Sequence, residues 1–311
     1  MSLDLNLPGT ILNAGGLPIA ADDDMQIDGA LIVWEPNHPI DAFKMAGLPN
    51  RPAYSVGSSV FATTTLENVA AAQAAALLGV AESAVKPYWA TNDNAMLSAA
   101  PPTNIVYERS SKGALHVAAA QTGQSTFVTA GLRLPDAVKA YLYANPSHLY
   151  YVSLWYEVTR PALDQGGLES PYLTLQKSSG TTHGFFNVGK DGPQGVTSLA
   201  GQAVPVGARN TLGLVHERLA NTFDGTALTN ATTDFVDYLF GFGLCAGQYG
   251  DIARNKTLSA KLFRVALLDL TVVGKTYDQM GAIDDAMRAR AFGIGGRYSG
   301  DTHTAVTSLV A

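Results

Sequence analysis

The clearest alternation in the chain runs from His148 to Thr159. Tyr150, Val152, Leu154, Tyr156 and Val158 fill the even positions, while Tyr151, Ser153, Trp155, Glu157 and Thr159 fill the odd ones. An apolar set at period two marks a β-strand with one face in a core. In a second long run, Lys261 to Val273, both alternating sets are largely apolar: Phe263, Val265 and Leu267 against Leu262, Ala266, Leu268 and Leu270. That texture predicts a central strand covered on both sides. Shorter β-rich runs fall at 30–34, 104–108, 114–118, 125–130, 172–176, 184–188, 211–216 and 235–242, separated by turn residues. Short strands at irregular spacing predict a mainly β chain, an antiparallel β-sandwich with a few short helices.

Three segments change period. Leu66 to Leu78 is alanine-rich, with Thr64 and Glu67 spaced as a capping box and Gly79 suited to end the helix. Leu134 to Tyr143 has Pro135 to open a short helix and Asn145-Pro146 to close it. After Gly274, Thr276 and Gln279 offer a second capping box. Met280, Ile283 and Met287 form an apolar stripe, and Gly293 can terminate a helix that should lie across the sandwich. The expected organisation is an extended N-terminal arm over residues 1–100 that makes assembly contacts, a sandwich over 101–275, and a C-terminal helix with a glycine-rich tail over 276–311.

Charge supports the arm and narrows the partners. Seven acidic residues and no basic one occupy residues 1–43 of the 311, and Lys44 is the first base. The arm either docks on a neighbouring subunit or folds onto its own domain. With 20 Lys and Arg against 26 Asp and Glu, the chain lacks the basic surplus that phosphate neutralisation needs, which argues against nucleic acid and an anionic membrane surface. No basic n-region precedes an apolar segment, so no signal peptide is expected, and no stretch is long and apolar enough for membrane insertion. A single cysteine, Cys245 between apolar neighbours, excludes an intrachain disulfide framework and reads as a buried structural thiol.

Candidate chemistry is sparse. The six histidines, His38, His116, His148, His183, His216 and His303, show no metal-pair spacing. Asp22-Asp23-Asp24 with Asp28 matches no calcium loop and reads as a solvated acidic turn. Gly293 to Gly300 follows a helix and does not open one, so it is no phosphate cradle. Asp301-Thr302-His303 puts two catalytic-triad residue types close together without the geometry a triad needs. Glu157 and Asp269 are the one tempting carboxylate pair for glycoside hydrolysis, although Asp269 can equally pair with Arg264. Tyr151 and Trp155 become glycan contacts if the odd face of their strand is open to solvent; otherwise they pack under a loop or a neighbouring chain. No catalytic residue, cofactor or metal site is assigned.

The segments His148–Arg160 and Leu262–Lys275, the second with an Arg-Val-x-x-x-Asp-Leu-Thr texture, resemble strands of the concanavalin A-like (laminin-G-type) sandwich over at most residues 100–275. The alternating carboxylates of that family's glucanases are absent. Low charge, one cysteine, abundant Ala, Gly and Thr, and an arm ahead of a sandwich also resemble virion proteins of tailed bacteriophages. That resemblance implies a non-enzymatic tail, baseplate or fibre component, made in the host cytoplasm and acting as a homo-oligomer, a trimer, with other virion proteins. The alternatives are a carbohydrate-binding, lectin-like module for a host surface glycan and a glycan-active enzyme.

Overall fold

The computed structural model describes residues 10–12, 18–20, 23–40, 42, 63–91, 105–119, 121, 129–163, 172–177, 184–189, 192–193, 200–203, 208–222, 235–243 and 257–309. In chain order the strands are β1 (Thr10–Leu12), β2 (Pro18–Ala20), β3 (Ala30–Trp34), β4 (Thr63–Thr65), β5 (Tyr88–Thr91), β6 (Ile105–Arg109), β7 (Leu115–Ala119) and β8 (Thr129–Arg133). They continue as β9 (Leu149–Arg160), β10 (Leu173–Lys177), β11 (Gly184–Gly189), β12 (Gly192–Pro193), β13 (Gly201–Ala203), β14 (Gly213–Thr222), β15 (Phe235–Gly243) and β16 (Ser259–Asp269). The helices are α1 (Ala71–Leu78), α2 (Asp136–Ala144), α3 (Leu270–Val273) and α4 (Tyr277–Phe292). The protein is mainly β, with two antiparallel sheets and few short helices, as the patterning predicts.

Sheet I has the strand order β12-β11-β10-β15-β8-β5-β4, and sheet II the order β13-β14-β9-β16-β7-β6 with β3 also paired to β16. The even residues Tyr150 to Val158 of β9 join Val215, Leu262 and Val265 of sheet II and Leu132, Leu173 and Phe240 of sheet I in one buried cluster. The odd residues Tyr151 and Trp155 belong to a second cluster on the outer face, with Phe263, Met280 and Met287. Sheet II is therefore apolar on both sides, and every residue of β16 is buried. A carboxylate is nonetheless sealed between the sheets. Glu217 of β14 accepts hydrogen bonds from the Tyr172 hydroxyl and from Arg209 Nε at 2.7 Å, and burial raises its pKa despite the Arg209 charge.

The expected boundary at residue 100 is not where the sheets divide. β3 pairs with the second half of β16, Trp34 opposite Val265, while β7 takes the first half on the same edge. β4 and β5 continue sheet I. The segment read as an arm thus supplies strands to both sheets, because Ala30–Trp34 is apolar at every position and β16 has an edge to cover.

Two other boundaries shift. The alanine-rich helix starts at Ala71, not Leu66, and its N-terminus has no side-chain cap. Asn68, fully buried, takes the Val33 N–H on its carbonyl and donates to the Leu31 and Val85 carbonyls. Those bonds tie residues 66–70 to β3 in place of a helical turn. Glu67 pairs with Lys86. Gly79 ends the helix at φ +67°, the left-handed conformation that favours glycine.

The long run predicted to reach Val273 stops at Asp269, whose carboxylate caps α3 by accepting the Thr271 and Val272 amides. The expected capping box at α4 is present: Thr276 Oγ1 accepts the Gln279 amide and Gln279 Oε1 accepts the Thr276 amide. The tail after α4 runs back over sheet II. Asp301 accepts from the Lys112 amide, Glu108 accepts from the Thr304 amide, and Val306 packs with Val106 and Ala118.

Candidate functional site

Because α4 and the tail cover much of the outer face of sheet II, residues predicted as exposed or isolated are buried and joined. Tyr151 and Trp155 have no exposed surface. The Tyr151 hydroxyl and Trp155 Nε1 both donate to Asp284 of α4, at 2.8 and 2.9 Å, and His216 Nε2 lies 2.9 Å from the same carboxylate. Burial raises the Asp284 pKa, but bonds from His216 and its other donors leave it below the usual carboxylate range. The odd face of β9 is therefore closed under a helix, and the glycan contact expected of Tyr151 and Trp155 does not occur there.

The acidic turn is corrected too. Asp23 is buried and receives Arg264 Nη1 and Nη2, each at 2.7 Å, while Nη1 also reaches Glu35 at 2.7 Å. His38 Nε2 meets Asp23 at 3.3 Å, and Arg297 pairs with Glu35 from the tail. Burial pushes the Asp23 carboxyl up, yet the Arg264 charge and the hydrogen bonds from His38, Arg264 and the Met25 amide together outweigh it and hold the group far below its ordinary value. Arg264 stacks over Trp155 at 5.2 Å. Asp24 pairs with Arg290, and Asp28 is exposed.

Glu157 and Asp269 do not face one another. Glu157 lies opposite Lys261 in the β9–β16 ladder and Asp269 opposite Tyr150, so roughly 26 Å of strand separates them at about 3.3 Å per residue. They also point to opposite faces, whereas a hydrolytic pair needs about 5–10 Å. Asp269 bonds to Tyr141 and His148, not to Arg264.

The distal half of the outer face is different. Lys261, nearly fully buried, bridges Glu157 at 2.7 Å and Asp301 at 3.1 Å. His116 lies between Glu108 (Nδ1, 2.8 Å) and Thr159 (Nε2, 2.9 Å). Burial, aided by the His303 and Lys261 charges, pulls His116 down to about 4 in spite of Glu108. It is neutral at pH 7; with Nδ1–H on the carboxylate, Nε2 accepts the Thr159 hydroxyl. The His303 ring meets His116 edge-on at 4.7 Å, and its pKa is likewise lowered, by burial and Lys261. Two histidines that are dispersed in the sequence thus meet.

Beside this cluster opens a cavity of about 640 Å³. Val158, Pro161, Leu212, Ala305 and Val306 form its apolar wall, and Glu157, Thr159, Arg160 and His303 contribute polar groups. Gly213 at its edge has φ +129°, which lets the chain turn sharply into β14. Arg160 Nε and Nη2 are shielded from water and make no hydrogen bond. Burial, with no opposing charge, lowers the Arg160 pKa. Exposed leucines cluster alongside: Leu212 is 65% exposed, Leu163 45% and Leu214 41%. The pair of hydrogen bonds between Asn210 and the Ala162 backbone holds the 161–163 segment against residues 208–212.

Sequence reading missed Arg160 and the His116–His303 meeting. A cation at the end of the best strand was the available signal for the first; the second needs the tail to fold back, which no spacing reports. No group of three or more His, Cys, Asp or Glu suited to a metal ion occurs among the described residues, and no helix there is long and apolar enough to cross a membrane. His183 and Cys245 lie outside the described residues. Comparison with protein-family models, curated proteins and solved structures gives no match for this chain.

Proposed function

We propose that the protein is a non-enzymatic structural subunit of a tailed-bacteriophage virion, built on a concanavalin A-like sandwich and acting by association with copies of itself and with other virion proteins. The observation that carries this reading is the patch of exposed leucines, Leu163, Leu212 and Leu214, where β9 ends and β14 begins. Large apolar side chains left exposed near one end of a sheet are of the kind buried at protein interfaces. Two features support it. The chain is only 15% charged, and Lys261, Arg264 and Asp284 spend their charge inside the fold. A surface so depleted of charge costs little to desolvate on association.

Light scattering coupled to size exclusion tests the reading. The expected result is a trimer that falls to monomer in the L212E/L214E double variant with an unchanged circular-dichroism spectrum. A wild-type monomer at every concentration, or a trimer indifferent to both glutamates, overturns it.

A further inference from the structure

We infer that the cavity between the end of β9 and the C-terminal tail is a binding site for a small monocarboxylate with an apolar body, its carboxylate held by Arg160. This goes beyond the assembly reading and does not depend on it.

A guanidinium with two shielded, unbonded nitrogens and no opposing charge is an incomplete arrangement. Half-buried cations are normally paired, and the planar fork of arginine matches a carboxylate. The cavity supplies the rest. Its volume falls in the range of small-molecule sites, about 300–1,000 Å³, and its wall is mostly apolar with few polar groups, the usual composition of such sites.

The surrounding charge selects the number of negative charges on the ligand. Glu157 also lines the cavity and is paired to Lys261, which Asp301 shares. Burial and the Lys261 charge lower the His303 pKa, which disfavours a second cation here. One unpaired cation beside a fixed carboxylate suits a single negative charge and repels the second charge of a phosphate monoester.

Calorimetric titration of the full chain with octanoate, octan-1-ol and octyl phosphate at pH 7 tests this. Octanoate should bind saturably at one site per chain, and both other probes should bind more weakly. Arg160→Gln should weaken octanoate about tenfold to a hundredfold, the worth of a charged hydrogen bond, without changing octan-1-ol. Arg160→Lys should restore part of the loss. Ala305→Trp, which fills the mouth from an exposed position, should abolish binding of all three. No octanoate binding by the wild type, equal binding of octan-1-ol, or an Arg160→Gln variant as tight as wild type would each overturn the inference. The oligomeric state of the same samples separates the two proposals, because a wild-type monomer that still binds octanoate refutes the assembly reading alone.

Discussion

Arg264 and Arg160 stand on the two central strands of sheet II, one on β16 and one at the end of β9, and their surroundings are opposite. Arg264 is sealed between Asp23, from the segment before β3, and Glu35, directly after it, with Trp155 beneath it. Arg160 lies at the wall of an open cavity and meets no carboxylate. The guanidinium is the same in both. What differs is whether another part of the chain brings a counter-charge, so the first cation is part of the fold and the second is available to a ligand.

The largest test of that contrast is Arg264→Ala. It strands two buried carboxylates, and breaking a buried ion pair in this way costs about 3–5 kcal/mol; with two anions exposed to the loss, the upper end is expected in urea unfolding. The acid limb should change as well. The folded-state pKa of Asp23 lies below its unfolded value, so its contribution is fully present above the ordinary carboxylate range and drains as pH falls beneath about 4. In wild-type protein the unfolding free energy should therefore drop below that pH, and in Arg264→Ala this part of the slope should flatten.

Trp155→Ala comes next, at about 3–4 kcal/mol for a buried indole that also satisfies Asp284. Its loss should appear as a lower urea midpoint; unchanged stability would mean that the odd face of β9 is open after all. Lys261→Met, which leaves Glu157 and Asp301 without their shared cation, should cost about 2 kcal/mol, less than Arg264→Ala because Glu157 is partly solvated. The smallest effect belongs to Arg160→Gln, expected within about 0.5 kcal/mol of wild type or slightly more stable, since no hydrogen bond is lost. A fall of several kcal/mol in that variant would remove the contrast between the two arginines.

How far the sequence carried the fold depends on the range of the interaction that fixes each element. The even residues of β9, the two-sided burial of β16 and the capping box at Thr276 depend on neighbours two to four positions away, and all three are legible as pattern. The start of α1 is not, because Asn68 is committed to backbone groups of Leu31, Val33 and Val85. Glu157 and Asp269 read as a pair only while their register is unknown; the β9–β16 ladder sets them at opposite ends.

Local pattern is enough to specify a mainly β chain with a doubly buried central strand and a capped C-terminal helix, since hydrophobic period and cap chemistry act over a few residues. Tertiary structure alone decided which charges are spent and which are left. Arg264 meets residues about 230 and 240 positions earlier, His303 comes to rest on His116, and α4 closes over Trp155. Such pairings follow from how sheets, helix and tail stack in three dimensions, and a carboxylate or a guanidinium carries no mark in the sequence of the partner that will reach it.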